Sequence, residues 1–302
     1  MPKISTTTIA CALCVGATRE GYLAAGLAAI AGAVDTLVVN DNSGLARSPN
    51  IATLEASPFA ARGALRVQAF PFVDFADMRN RAFGLLAALP QPPDWVLFLD
   101  ADEVHGEQIR YVAREILPRL SPEIASVDAY TYHFFGTYRW ITDIARRFVF
   151  YRYSPGLHWV NAVHEKIVGL NGTSLVLPYV YHHYGNVVPP ALLVRKHVQY
   201  YALGNRVPQP PSEDEATVTY LIENHKRVRP FRGTHPRVAA QVLAEFEREF
   251  ATDFAAIDAG FTACRGPALR AAAALRAVNE TLRVELRRIE HPFTYRAPTF
   301  AR

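Results

Sequence analysis

The densest chemistry in the chain lies in Trp95-Val96-Leu97-Phe98-Leu99-Asp100-Ala101-Asp102-Glu103, an apolar run that ends in acids. Preceded by Pro92-Pro93 and Asp94, the run suits a strand buried on both faces. Alternate side chains of an extended chain point the same way, so Asp100 and Asp102 are expected to face one site. Ligands of open α/β sheets bind at that carboxyl edge. Two carboxylates there make half a shell for a hard divalent cation, with substrate phosphates completing it. The plain alternative is a solvated acidic loop.

Three other clusters carry usable groups. Asp41-Asn42-Ser43 follows the apolar run Thr36–Asn40; its Asp can accept a hydrogen bond from a base N–H or a ribose hydroxyl, although these are also common turn residues. In Phe75-Ala76-Asp77-Met78-Arg79-Asn80, Arg79 and Asn80 are read as lying near a helix N-terminus, where they can address a base or phosphate or stand on the surface. Val163-His164-Glu165 supplies a candidate general base in Glu165. His182 and His183, in Tyr181-His182-His183-Tyr184, offer an imidazole for manganese or a similar ion. On a strand the two histidines face opposite ways, so at most one can join a site. Trp140 and Trp159 could form a platform for a sugar ring, or simply fill a core.

The elements that must position these groups alternate. Strand patterns at Thr8–Val15, Thr36–Asn40, Leu65–Phe70 and Trp95–Leu99 are separated by helical patterns at Gly21–Gly32, Pro49–Ala56 and Phe75–Leu89. This order predicts a parallel sheet with right-handed crossovers, a nucleotide-binding type of half-domain. A helix is expected from Glu107 to Leu120. Aromatic-rich stretches at Val127–Tyr138, Arg147–Tyr153 and Ser174–Tyr184 then predict antiparallel strands. From Pro189 onward the pattern is helical, at Ala191–Leu203, Glu213–Asn224, Arg237–Phe254 and Pro267–Ile289. The expected division is 1–188 as an α/β domain, mostly parallel with an antiparallel addition, and 189–302 as a helical C-terminal extension.

Several classes are excluded. No Gly-x-Gly-x-x-Gly follows the first strand, where Gly16-Ala17-Thr18-Arg19-Glu20 stands instead, and no P-loop signature occurs, so neither a dehydrogenase nor an ordinary ATPase is indicated. Cys11 and Cys14 have a CxxC spacing inside an apolar strand, but no second pair completes a zinc site; with Cys264 they read as reduced thiols. No run reaches the eighteen or so apolar residues needed to span a bilayer, and no export signal is recognisable, so a cytoplasmic protein is expected. The net charge of +4 suits an anionic ligand or a bilayer surface without demanding either.

Taken in order, Asp41-Asn42-Ser43, Phe75-to-Asn80, Trp95-to-Glu103 and Val163-His164-Glu165 resemble the motifs of glycosyltransferase family 2, of the GT-A fold. More narrowly, they resemble the bacterial branch that builds lipopolysaccharide core and other surface glycans. The likeness covers about residues 5–200. It implies a nucleotide-diphosphate sugar donor (a UDP-sugar favoured), Mn2+ or Mg2+, and inverting transfer to a hydroxyl of a glycan or lipid-linked acceptor; nucleic acid is not an expected partner. By that resemblance Asp41, Arg79 and Asn80 would contact the nucleotide and Asp100 the ribose. Asp102 with His182 or His183 would hold the metal, and Glu165 would be the base. The chain departs from the family at Ala17-Thr18-Arg19-Glu20 and at Asp41-Asn42-Ser43-Gly44-Leu45-Ala46, where Lys-Asn-Glu and Asp-Ser-Gly-Ser-Thr-Asp are usual. A nucleotidyltransferase, or a catalytically silent nucleotide- or glycan-binding subunit, is the alternative.

The last helical pattern, Ala272 through Ile289, is basic and amphipathic. It could rest on anionic lipid at the inner face of the membrane, pair with a second subunit, or pack on its own domain with a solvated Arg face.

Overall fold

The computed structural model describes residues 7–204, 221–222, 228–264 and 267–290, without the side chains of 267–269 and 285–290. It is a mixed α/β protein with a helical C-terminal part. Two compact units are present, Met1–Ala129 with Arg147–Leu177, and Tyr130–Arg146 with Pro178–Arg302. The chain crosses this division repeatedly. Its cause is strand length: β6 (Ile124–Phe135), β7 (Thr137–Arg152) and β10 (Thr173–Asn186) each begin in one unit and end in the other.

In the first unit β1 (Ile9–Val15), β2 (Thr36–Asp41), β3 (Leu65–Ala69) and β4 (Trp95–Asp100) are parallel and stand in the order β3-β2-β1-β4. β1 and β4 are almost wholly buried because helices cover both faces of a parallel sheet, which is why they read as continuous apolar runs. Edge strand β3 is mostly exposed. Its Arg66 Nη1 folds back to donate to the Gly63 and Leu65 carbonyls, blunting the open edge. β7 joins β4 antiparallel. The helices are α1 (Leu23–Ile30), α2 (Ile51–Glu55), α3 (Pro58–Ala61) and α4 (Phe75–Ala87).

After β4 comes a two-residue strand, β5 (Glu103–Val104), and then a broken helix. Only Gln108–Tyr111 (α5) is α-helical; Val112–Ile116 is a π turn and Leu117–Arg119 a 3-10 turn. Pro118 cannot donate a backbone hydrogen bond, so the expected helix to Leu120 cannot close as an α-helix. β8 (His158–Val160) and β9 (Lys166–Val168) form a separate antiparallel hairpin.

In the second unit β6 and β7 turn on Gly136 alone. Its φ of +73° favours glycine, and a Cβ there would lie 2.8 Å from Ile257. The unit contains α6 (Pro190–Ala202), the short strand β11 (Arg229–Pro230), α7 (Ala240–Glu249), α8 (Ala251–Ala263) and α9 (Pro267–Glu290). The helix expected over Arg237–Phe254 is thus two helices broken at Phe250. Phe135, Trp140, Leu193, Ile257 and Phe261 form part of this unit's core. The helix expected at Glu213–Asn224 lies outside the described residues except for 221–222. Among the described residues no helix is long and apolar enough to cross a membrane.

Candidate active site at the carboxyl edge of the parallel sheet

Chain order along the sheet runs outward from β1 to β3 and then returns to β4 on the other side of β1. That reversal makes the carboxyl ends of β1 and β4 the switch point, where open α/β sheets usually bind ligands in a crevice. The register puts acids on both sides of β1: Val15 is opposite Asp41, and Cys14 is opposite Asp100. Two strand spacings separate those acids' strands, roughly 10 Å.

Asp41 is buried, and its Oδ1 accepts from the Ser43 N–H at 3.0 Å, closing an Asx turn. Beside it, buried Asn40 donates to the Met78 carbonyl at 2.9 Å and so ties β2 to α4. Asp41 thus makes the expected turn, at the carboxyl end of β2.

The acidic stretch is not one extended strand. β4 stops at Asp100, Ala101 and Asp102 form a turn, and the chain re-enters the sheet at Glu103. The alternation argument that would aim Asp100 and Asp102 alike therefore fails at the turn. Glu103, to which no role was given from sequence, is a third carboxyl of the cluster. It is half-buried, and its Oε2 accepts from the Asp100 N–H at 3.1 Å. Burial first, then the charges of Asp100 and Asp102, push its pKa well above the usual carboxylate range, while the Asp100 N–H and Arg147 oppose this.

Arg79 joins the two halves of the site. Its Nε donates to Glu165 Oε1 at 2.8 Å, and its Nη1 lies 3.2 Å from Asp100 Oδ1. The guanidinium rests over the Phe98 ring at 4.1 Å and the Trp159 ring at 5.0 Å. Arg79 and Glu165 are each only 14% exposed, against 40% for Asp100. Burial works against the charged guanidinium, but Asp100 and Glu165 outweigh it and raise its pKa.

The expectation that Arg79 and Asn80 profit from a helix N-terminus is corrected. α4 starts at Phe75, so both lie beyond its first turn, and the terminus is already capped by Asp74, whose Oδ1 accepts from the Asp77 N–H at 2.8 Å. Asn80 instead grips the Trp159 backbone: its Nδ2 donates to the carbonyl at 2.9 Å and its Oδ1 accepts from the N–H at 2.7 Å. With the Phe75 N–H donating to the Ala162 carbonyl, these contacts hold the β8–β9 hairpin on α4. Glu165 ends the hairpin loop, in which Asn161 and His164 both take positive φ, +73° and +58°. Such left-handed conformations in non-glycine residues persist where surrounding contacts fix the loop.

Trp159 is buried against Phe83, Phe98 and Tyr151 and presents no open ring face for a sugar. Trp140 is buried too, its Nε1 donating to Asp258 at 2.7 Å. Cys14 donates to the Met78 carbonyl, and burial raises its thiol to about 12; Cys11 is buried and Cys264 exposed, all three as free thiols.

His182 and His183 belong to the second unit and lie on opposite faces of β10. His182 is stacked on Phe134 and Tyr184, with its Nε2 3.1 Å from the Thr234 carbonyl. His183 is beside His133, with ring centroids 4.8 Å apart. Among the described residues no three His, Cys, Asp or Glu side chains form a set able to hold a metal ion. The donors that the sequence offers at this edge are Asp100 and Asp102. That set fits a hard cation that arrives with substrate phosphates and keeps waters, rather than one caged by protein.

No protein-family model matches the chain, and no curated protein sequence does. Among solved structures it is similar to glucosyl-3-phosphoglycerate synthase from Mycobacterium tuberculosis in complex with Mn2+, UDP and glucosyl-3-phosphoglycerate, at 22% identity and a TM-score of 0.29 over 41% of this chain and 44% of that one. It is also similar to S. aureus TarS 1–349 in complex with UDP-GlcNAc, at 12% identity and 0.37 over 81% and 73%. A third is 4-diphosphocytidyl-2C-methyl-D-erythritol synthase from Anaerococcus prevotii, at 11% and 0.32 over 82% and 98%. The match spans less than half of the mycobacterial chain. With scores this low, any functional reading rests on the site's own residues.

Proposed function

We propose that the chain is a metal-dependent inverting glycosyltransferase that binds a nucleotide-diphosphate sugar at the crevice between β1 and β4. The observation that carries this reading is the Arg79 bridge, which holds Glu165 beside Asp100 at the switch point of the sheet. Asp41 would accept from the base or ribose, and Asp100 from the ribose. Asp102, with Asp100, would hold Mn2+ or Mg2+, which when bound neutralises charge on the departing diphosphate. Arg79 and Asn80 position the hairpin that delivers Glu165.

In the step itself an acceptor hydroxyl attacks the anomeric carbon while the bond from that carbon to the β-phosphate oxygen breaks. The electron pair leaves with the nucleoside diphosphate, and the hydroxyl proton passes to the Glu165 carboxylate. Attack opposite the leaving group inverts the anomeric centre. The acceptor is a glycan or lipid-linked hydroxyl and the reaction cytoplasmic, in assembly of a bacterial surface glycan.

The test is a thermal-shift panel of UDP, GDP and CMP, each with and without Mn2+, followed by product analysis. Stabilisation by one nucleoside diphosphate only with metal, and release of that diphosphate from its sugar ester, is expected. Release of pyrophosphate would instead identify nucleotidyl transfer. Glu165→Gln should bind donor and lose transfer; normal turnover by this variant rejects Glu165 as the base.

A further inference from the structure

Helix α9 has two apolar faces, and only one is covered by the described residues. Ala273, Ala277, Glu280 and Val284, spaced four, three and four apart, make the inner face. Its Glu280 is ion-paired with buried Arg229, which fixes the helix to its own unit. Ala271, Leu275, Val278 and Leu282 repeat the same spacing on the opposite side, and there Leu275 is 73%, Val278 58% and Leu282 54% exposed. One large aliphatic residue in water is ordinary; three in a row along one helix face call for a partner.

Charge decides which partner. Between residues 270 and 284 the exposed charged side chains are Arg270, Arg276 and Arg283, all positive, and the single acid, Glu280, is already committed to Arg229. A second copy of the helix would bring arginines against arginines. Arg276 and Arg283 stand to one side of the helix, between the aliphatic row and the inner face, Arg276 also reaching the Thr142 carbonyl at 3.5 Å. The row is convex and holds no aromatic anchor of the kind that fills a shaped protein pocket. An aliphatic row bordered by arginines matches the boundary between acyl chains and anionic headgroups, with the guanidinium groups extended toward phosphate.

We propose that the outer face of α9 docks on an anionic phospholipid surface. This needs neither donor nor metal, so it stands apart from the transfer reaction. The full chain is to be sedimented with phosphatidylcholine vesicles, with and without phosphatidylglycerol. Binding only to the anionic vesicles, weakening as salt is raised, is the expected result. Leu275→Ser/Val278→Ser/Leu282→Ser should abolish it, and Arg276→Glu/Arg283→Glu should weaken it at least about tenfold. Both sets are exposed side chains, and circular dichroism must show that each variant is folded. No binding by the folded wild-type chain, or equal binding to neutral vesicles, overturns the proposal. So does a wild-type dimer that the serine variant converts to monomer, since a second copy would then cover the face.

Discussion

Arg79 Nε donates to Glu165 Oε1 at 2.8 Å across 86 residues of sequence, and the same guanidinium reaches Asp100. One cation thereby sets the distance between the strand-end acid and the hairpin acid. Arg79→Met should leave Glu165 with no counter-charge at 14% exposure and destabilise the fold by about 3 kcal/mol. Arg79→Lys should also fail to restore activity, because a point charge cannot stack on Phe98 and serve two carboxylates at once. Urea denaturation of the two variants, with transfer assays, checks both.

Asn80→Ala removes two hydrogen bonds to the Trp159 backbone at once. A cost of about 2 kcal/mol is expected. Hydrogen exchange should show it locally, as faster exchange at the Trp159 amide and in the β8–β9 hairpin, before global stability is lost. A uniform change across the chain would contradict the clamp.

Glu103 gives the fold a pH dependence of known sign. Its folded pKa is raised by burial and by Asp100 and Asp102, so the native state holds a proton that the unfolded chain, at about 4.3, has already released. Its contribution is therefore complete at acid pH, below that unfolded value, and is lost as pH rises toward and through the folded pKa. Glu103→Gln should remove this dependence: compared with the variant, the wild-type chain loses stability as pH rises. Midpoints of urea unfolding at several pH values measure it, and a constant difference between the two proteins would contradict the assignment.

Gly26 lets α1 approach the acidic turn. A Cβ at this position would lie 2.8 Å from the Glu103 carbonyl oxygen, a backbone atom that cannot swing aside. Despite alanine's better helix propensity, Gly26→Ala should destabilise by about 1–3 kcal/mol. If it stabilises instead, α1 is not packed on β5 in this way.

Metal dependence should reside in the turn. Asp102→Asn is expected to abolish the additional thermal shift that Mn2+ confers in the presence of a nucleoside diphosphate, and chelator should do the same to the wild-type chain. Retained Mn2+ dependence in the variant would move the metal away from Asp102.

β1, β2 and β4 were legible because each is a run of apolar residues bounded by turn-forming ones, and burial on two faces leaves that mark in the sequence. The π turn after α5 and the break at Phe250 were not, since apolar spacing stays helical through both, whereas Pro118 did mark the end of the first. Among the site residues, the positions of Asp41 and Asp100 at strand ends could be read directly. For Glu103 the available signal was a Glu following two acids at a strand end. The hold of Asn80 on Trp159 left no trace, because it is made to backbone atoms.

The residue order by itself determined which acids stand at the carboxyl edge of the parallel strands, since strand ends follow from local apolar pattern. Only the tertiary structure decided that Arg79 would bind Glu165 and Asp100 rather than solvent, that Asp102 would turn out of the strand, and that α9 would bury one apolar face and expose the other. Those outcomes depend on which surfaces meet after folding, and a helix with two similar faces carries no local instruction as to which will be covered.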